Sequence, residues 1–429
     1  MRHHSFVFAA AFAIAFSALH AQSDAAPKPQ GAATAPSSAV ASVTPGPVAV
    51  TDPRSVPIAR GVVATPIVAG LEAPWSMVFL PNGDMLVTEL LGELRYVRKG
   101  KLEPKPIKGI PAVATGGQGG LMDVTLHPDF ARNQLVYLSH SHGDESSSRT
   151  RVVRGELRGR TLRNVQTIFE VSQGKPRIQH NGSRFVWLPD KTLLVTIGDG
   201  GNPPTMLEGS LIREQAQNLD SHLGKIVRIH DDGRIPTDNP FLDRPDAKRE
   251  LYSIGHRNPQ GLARDAVSGR IYATEHGSQG GDEMNLIDAG ANYGWPRITH
   301  AVEYGSEHTQ ISPHQSLPGM RDPLAVWVPA IAPSGLTVYR GKAYPQWEGD
   351  VFAGGLRIDG RPNPGALFRI DLDENGKVLG QERIDVGAAR VRDVRSGPDG
   401  KLYLILTDTE NYRDRGQKNG RIVRLDPTN

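Results

Sequence analysis

Past residue 60 the chain alternates between clusters of Pro, Asn, Asp and Gly and short apolar runs rich in β-branched and aromatic side chains. Turn chemistry followed by a brief run of that kind predicts a turn and then a β-strand. The unit recurs six times. Pro81-Asn82-Gly83-Asp84 leads into Met85-Leu86-Val87-Thr88. Pro128-Asp129-Phe130 leads, after an insertion, into Gln134-Leu135-Val136-Tyr137-Leu138. Pro189-Asp190-Lys191 precedes Thr192-Leu193-Leu194-Val195-Thr196, and Ser268-Gly269 precedes Arg270-Ile271-Tyr272-Ala273-Thr274. Trp347-Glu348-Gly349-Asp350 opens onto Val351-Phe352-Ala353, and Pro398-Asp399-Gly400 onto Lys401-Leu402-Tyr403-Leu404-Ile405.

The mean step from Pro81 to Pro398 is about 63 residues, room for four strands and their loops. Residues 94–97, 225–229, 366–370 and 421–425 offer partner strands, and no long stretch carries helical periodicity. The expectation is an all-β chain, a six-bladed β-propeller of four-stranded antiparallel blades over 61–429. The uneven spacing of the copies also fits a pair of β-sandwiches or a β-solenoid.

The chain has 429 residues, of which 47 are Gly and 33 Pro, and that punctuation suits many turns. Its formal net charge of +3, with acids and bases interleaved, gives no argument for nucleic acid. There is no cysteine, so neither a disulfide nor a lipid on an N-terminal cysteine is available. Arg2-His3-His4, an apolar run over 6–19 and the small Ala21 read as a signal peptide over 1–21, an N-terminal anchor being the other reading. The Ala/Pro/Ser/Thr-rich stretch 22–60 reads as a flexible tether. Secretion to the periplasm or beyond, with no membrane span in the mature protein, follows from these readings.

Four polar constellations fall between the strand repeats, where a propeller places its functional loops. The first is Gln179-His180-Asn181-Gly182-Ser183 with Gly198-Asp199-Gly200-Gly201 across the next strand. In a β-meander the two ends meet, which suits a histidine base oriented by a carboxylate. A surface histidine and a turn aspartate would look the same. The second is Gly255-His256-Arg257-Asn258-Pro259-Gln260-Gly261. Here Arg257 suits an anionic ligand or developing negative charge, and His256 reads as structural. A hydrogen-bonded turn between blades is the plainer reading.

The third is His276-Gly277-Ser278-Gln279-Gly280-Gly281-Asp282-Glu283 with Asn292-Tyr293-Gly294-Trp295-Pro296. Its carbonyls and carboxylates are hard oxygen donors of the kind calcium takes, though an ordinary loop has the same spacing. The fourth is Ala389-Arg390-Val391-Arg392-Asp393. Alternation puts Arg390 and Arg392 on one strand face, where an anion would relieve their repulsion and Arg357 would join them. Two solvated arginines with Asp393 as partner fit too. His127 reads as a turn residue. No His-x-x-His, Cys pair, Gly-x-Gly-x-x-Gly or phosphate-loop lysine supports zinc or a nucleotide.

These segments, with Gly117-Gln118-Gly119-Gly120-Leu121 and His127-Pro128-Asp129-Phe130, resemble in content and order the soluble quinoprotein glucose dehydrogenase and glucose/sorbosone dehydrogenase family. The closer likeness is to its periplasmic aldose sugar dehydrogenase branch, over about 68–426. The resemblance implies a six-bladed propeller that binds pyrroloquinoline quinone (PQQ) with calcium and oxidises aldoses at the anomeric C1 hydroxyl to lactones. It makes His180 the general base, Asp199 its orienting acid and Arg257 the cation beside the reactive carbonyl. Gln118, Asn258, Arg357, Arg390 and Arg392 are implied cofactor contacts, and the carbonyls of Gly277 and Ser278 ligands of the cofactor's calcium. Glu283 and the Tyr293 carbonyl are implied in a separate structural calcium site. The chain departs from the glucose dehydrogenases at Arg357, where they carry lysine, and at Ser278, where they carry proline. Residues 300–321 and 358–364 match nothing in the family pattern, and substrate width or a dimer contact would be set there. An external electron acceptor is implied without identity. A propeller that binds sugar or protein without catalysis, and a calcium-dependent lactonase, are the competing functions.

Overall fold

The computed structural model describes residues 48–428 apart from 202–204, 307, 359–363 and 409–415. The expected signal peptide at 1–21 and the tether up to residue 47 lie outside the described residues. From residue 62 the chain builds six four-stranded antiparallel sheets. Blade 1 is Pro74–Phe79, Met85–Glu89, Glu93–Arg98 and Lys101–Leu102; blade 2 is Leu121–Leu126, Leu135–Gly143, Ser148–Arg158 and Thr161–Glu170. Blade 3 is Phe185–Trp187, Leu193–Ile197, Lys225–Ile229 and Leu251–Ile254; blade 4 is Pro259–Arg264, Ile271–Glu275, Asp282–Leu286 and Ala325–Trp327. Blade 5 is Pro333–Val338, Val351–Gly355, Ala366–Leu372 and Val378–Ile384. Blade 6 takes Arg390–Ser396, Leu402–Thr407 and Gly420–Pro427, and its fourth strand is Val62–Leu71 from the other end of the chain. The fold is the expected six-bladed β-propeller.

Each sequence repeat is the turn into, and the body of, a blade's second strand. The four partner runs are third strands. These strands are rich in apolar residues because both faces of a blade are covered by its neighbours. Every residue of Leu193–Ile197 and of Lys225–Ile229 is buried. Between blades 5 and 6, for example, Phe352 and Leu367 interdigitate with Val391, Leu404 and Val423.

The ring closes by pairing the two ends of the propeller chain. Val62–Leu71 runs antiparallel to Gly420–Pro427, with Ala64 opposite Leu425 and Val68 opposite Ile422. The expected tether boundary at residue 60 is corrected here. Val50–Thr51 pairs in parallel with Val326 and Trp327 at the rim of blade 4. Val56 is buried, and Ile58 bridges Arg383 at the rim of blade 5. Two blade edges with unpaired backbone groups hold this extended segment, which has no periodicity of its own to reveal the contact.

First strands line the central tunnel, and polar side chains fill it. Arg184, fully buried, reaches Asp393 at 3.1 Å and Asp123 at 3.3 Å, and donates from Nε to the Gln260 carbonyl at 2.6 Å. Its guanidinium lies 4.0 Å from the Trp75 ring centre. Arg395 pairs with Asp123 at 3.1 Å and Asp393 at 3.0 Å, and Ser76 donates to Asp123 at 2.5 Å. Two cations and two carboxylates thus balance where isolated charge would be costly. The network ties blades 1, 2, 3, 4 and 6 together at the axis.

Candidate active site

In a four-stranded meander the start of the first strand, the end of the second and the start of the third face the same side. Gln118, His180, Arg257 and Asn258 immediately precede first strands, and Arg390 and Arg392 begin one. Asp199, Gly277, Ser278 and Arg357 follow second strands, and Glu283 lies at the start of a third. Tyr293 is brought to this side by the connection after Asp282–Leu286, whose Trp295 N–H donates to the Gly255 carbonyl at 2.9 Å. One mouth of the propeller therefore carries every residue singled out from the sequence.

His180 is at its centre. Its Nδ1 lies 2.6 Å from Asp199 Oδ1, and both side chains are buried. Asp199 also accepts from the Gly201 N–H at 2.9 Å and, at Oδ2, from the Trp295 indole N–H at 2.8 Å. With Nδ1 committed, Nε2 is the nitrogen left for a ligand. Burial, together with the nearby Arg257 charge, pushes the His180 imidazole down to about 4, against the opposing pull of Asp199. Burial alone would raise Asp199, but His180 and Arg257 bring it below the usual carboxylate value. The pair is a neutral imidazole on an ionised carboxylate.

The loop that presents His180 adopts backbone that side chains seldom take, with φ of +42° at His180, +61° at Gly182 and +85° at Ser183. Gly182 is required, since a Cβ there would stand 2.7 Å from the Thr196 carbonyl oxygen. Two sequence-predicted residues hold this loop. Gln118 Oε1 accepts from the His180 N–H at 3.2 Å, and Asn258 Oδ1 accepts from the Gly182 N–H at 3.1 Å. Asn258 Nδ2 is a buried donor without a partner among the described residues.

Arg257 donates to the carbonyls of His276, at 3.0 Å, and Gly277, and to the Tyr304 hydroxyl at 3.0 Å. Its guanidinium sits 5.2 Å from the Trp295 ring centre, and its buried Nε has no partner among the described residues. Glu275 fixes the adjoining backbone by accepting from the Arg257 N–H at 2.5 Å. His256 is structural, as expected. One ring nitrogen meets Ser253 at 2.8 Å, the other meets Glu275 at 3.0 Å, and the ring stacks on Tyr293.

Arg390 and Arg392 are both buried at the mouth, and Arg392 donates to Gln260 Oε1 at 3.0 Å. The register skips at Arg392, so strict alternation does not carry across this pair. Arg357 is half-buried at the end of Val351–Gly355. Together with Arg257 these cations suit a ligand bearing several carboxylates.

A divalent cation finds oxygen donors nearby. Asp282 accepts from the Gly277 N–H and the Ala332 N–H, each at 2.7 Å, and burial still raises it to about 6. Glu283 shares a cavity with Glu275 and Tyr293. Burial and the Glu275 charge hold Glu283 well above the usual range. The Gly277 carbonyl, by contrast, is taken by Arg257. Among the described residues no cluster of three His, Asp or Glu side chains forms a metal site, so backbone oxygens would have to complete any such set.

Three contributors to this mouth had no role assigned from the sequence. Trp295 fixes Asp199. His276, Nε2 2.7 Å from the Pro333 carbonyl oxygen, is held neutral by burial and by His180 and Arg257. Lys175 lies buried under the His180 loop. Trp295 and His276 act through contacts distant in sequence, and Lys175 through one six residues away. Trp295 and His276 had a local signal, their places in Asn292-Tyr293-Gly294-Trp295-Pro296 and at the head of His276-Gly277-Ser278.

The sequence profile of the Glucose / Sorbosone dehydrogenase family matches residues 71–423. The chain belongs to that family. It is an enzyme of the sugar-oxidising dehydrogenase kind, as the segments suggested. It is 36% identical to the aldose sugar dehydrogenase YliI of Escherichia coli over 364 residues, 84% of this chain and 91% of that one. The apo crystal structure of the soluble aldose sugar dehydrogenase from E. coli covers 86% of the chain and matches over its whole length, with a TM-score of 0.75 at 34% identity. The PQQ-bound aldose sugar dehydrogenase of Streptomyces coelicolor matches over 86% of this chain and 99% of its own, with a TM-score of 0.67 at 29% identity.

Proposed function

We propose that this dehydrogenase oxidises aldose sugars at the anomeric C1 hydroxyl to lactones, using PQQ and calcium, after export to the periplasm. The observation that carries the reading is the neutral His180 on ionised Asp199 at a mouth that also holds Arg257, Arg357, Arg390 and Arg392. His180 Nε2 accepts the proton of the C1 hydroxyl, and Asp199 stabilises the imidazolium that results. Arg257, held by its two backbone carbonyls and Tyr304, places positive charge where negative charge builds. Gln118 and Asn258 fix the base loop, and the free Asn258 Nδ2 adds a donor to the cofactor. Arg357, Arg390 and Arg392 would bind the carboxylates of PQQ. When bound, PQQ supplies the two-electron acceptor for the C1 hydride. The Gly277 and Ser278 carbonyls would face the cofactor's calcium, the former after release by Arg257, while Glu283 and the Tyr293 carbonyl would serve a second, structural ion. The S. coelicolor relative's PQQ supports the cofactor. Among the described residues no helix is long and apolar enough to cross a membrane.

The test is dye reduction by the purified protein with a panel of aldoses, with and without PQQ and calcium, beside His180→Ala. Activity that needs both additions and is lost in the variant supports the reading. Full activity in His180→Ala overturns the base assignment. PQQ binding without turnover of any sugar overturns the substrate, and absence of PQQ binding leaves a propeller that binds without catalysis.

A further inference from the structure

The mechanism above leaves a buried lysine beside the His180 loop unused. Lys175 is 1% exposed, and its Nζ donates to Asn181 Oδ1 at 3.0 Å and to Ser148 Oγ at 3.1 Å. Asn181 is the residue after His180. The stem of the same lysine packs on Gly200, the residue after Asp199: a Cβ on Gly200 would lie 2.5 Å from Lys175 Cδ. The side chain is thus seated under both halves of the His180–Asp199 pair, touching the neighbour of each. Its own backbone is pinned by paired hydrogen bonds with Ser148, 2.8 and 2.9 Å, on the third strand of blade 2.

Resting on the assignment of His180 as base, we propose that Lys175 is a positioning residue, whose buried ammonium holds Asn181 and with it the strained 180–183 loop in the conformation that presents His180. The reasons are geometric and electrostatic. Three residues of that loop hold positive φ, and such backbone persists only where its surroundings over-determine it. Gln118 holds the His180 N–H, Asn258 the Gly182 N–H and Thr150 the Asn181 carbonyl, the last at 3.1 Å. Lys175 supplies the only side-chain tether to the Asn181 side chain among the described residues.

A lysine costs more to bury here than a neutral donor, which asks what its charge does. Burial draws the ammonium down to about 7, opposed by Asp199 and Glu145. The charged groups around the dyad are Lys175 and Arg257 as cations and Asp199 as anion, with Lys225 also interacting with Asp199. Lys175 in its charged form disfavours a proton on His180. Its removal, with the bulk of the stem kept by methionine, therefore moves the His180 titration to higher pH.

The experiment follows the His180 imidazole by NMR in the cofactor-free protein, its resonance assigned by its loss in His180→Asn, alongside the pH profile of kcat/KM with cofactor added. For Lys175→Met we expect an upward shift of the His180 midpoint and of the acid limb. We also expect a fall in kcat of about 10–100-fold with KM little changed, the scale of a misplaced catalytic group. An unmoved midpoint with a wild-type pH profile overturns the proposal. Should Lys175→Met not fold, Asn181→Ala keeps the cation and removes its hydrogen-bond acceptor. A fall in kcat with the His180 midpoint still low then supports positioning, and an unchanged kcat overturns it. Wild-type activity in His180→Asn would remove the base assignment, whereas the midpoint, read without cofactor or sugar, still decides the placement of Lys175.

Discussion

At the scale of single residues, the chemistry turns on His180 being neutral and Asp199 ionised. Burial and Arg257 disfavour the imidazolium more than Asp199 favours it, which leaves His180 titrating near 4. A base is competent only when unprotonated. The acid limb of kcat/KM should therefore fall near pH 4, well below the ordinary histidine value of about 6.5. An acid limb at the ordinary value would show that burial and Arg257 do not depress His180 in this way. Asp199→Asn keeps the shape but loses the charge that fixes the tautomer and stabilises imidazolium. It should lower kcat by about 10⁴-fold, as an orienting aspartate does in other His–Asp pairs, checked by dye-linked turnover at saturating sugar. Arg390→Ala and Arg392→Ala should each weaken PQQ by about 1.5–3 kcal/mol, the worth of a hydrogen bond to a charged group, read as a rise in Kd by absorbance titration. The His–Asp pair was legible because its members bracket a two-strand hairpin, Phe185–Trp187 and Leu193–Ile197, which returns the end of the second strand beside the start of the first. Trp295 was not legible as a partner because it reaches the pair from a separate element, and Lys175, though on the same connection as His180, was not because nothing in the sequence marks the fold of that loop back over it.

At the scale of elements, second and third strands could be read, whereas of the first strands only the one around Arg390 and Arg392 could. A second strand is announced by the turn before it and is apolar throughout, as in Leu193–Ile197. First strands are short or carry the tunnel's charges. Phe185–Trp187 has three residues, and Asp123, Asp393 and Arg395 interrupt other first strands with the polarity of a loop. Arg184 just before Phe185 pairs with Asp123 and Asp393, which it would strand if removed. Arg184→Met should destabilise the protein by about 3–5 kcal/mol, the cost of breaking a buried pair from one side, measured by urea or thermal unfolding. A change below 1 kcal/mol would mean that Arg395 alone neutralises both carboxylates. The bulge at Arg392 was likewise invisible, since it depends on the register against Leu402–Thr407 and not on composition.

At the scale of the whole molecule, six copies at irregular spacing foretold six blades, because each blade carries its own local signal. How the ring closes did not show. Val62–Leu71 pairs with Gly420–Pro427 across nearly the full length of the propeller chain, and no local pattern encodes so distant a partner. For the same reason residues 48–60 read as tether, although Val50–Thr51 and Ile58 dock on blades 4 and 5. Truncation separates the two contributions. A chain starting at Gly61 should keep its fold with a modest loss of thermal stability. One starting at Glu72, which strips blade 6 of its fourth strand, should fail to give a cooperative unfolding transition.

All three scales converge on one mouth of the ring. The measurement that tests this most directly is dye reduction by the purified protein with aldoses, with and without PQQ and calcium. Turnover that appears only when both are added, and disappears in His180→Ala, is the expected result. Turnover without PQQ, or undiminished in His180→Ala, would contradict the mechanism proposed for this site.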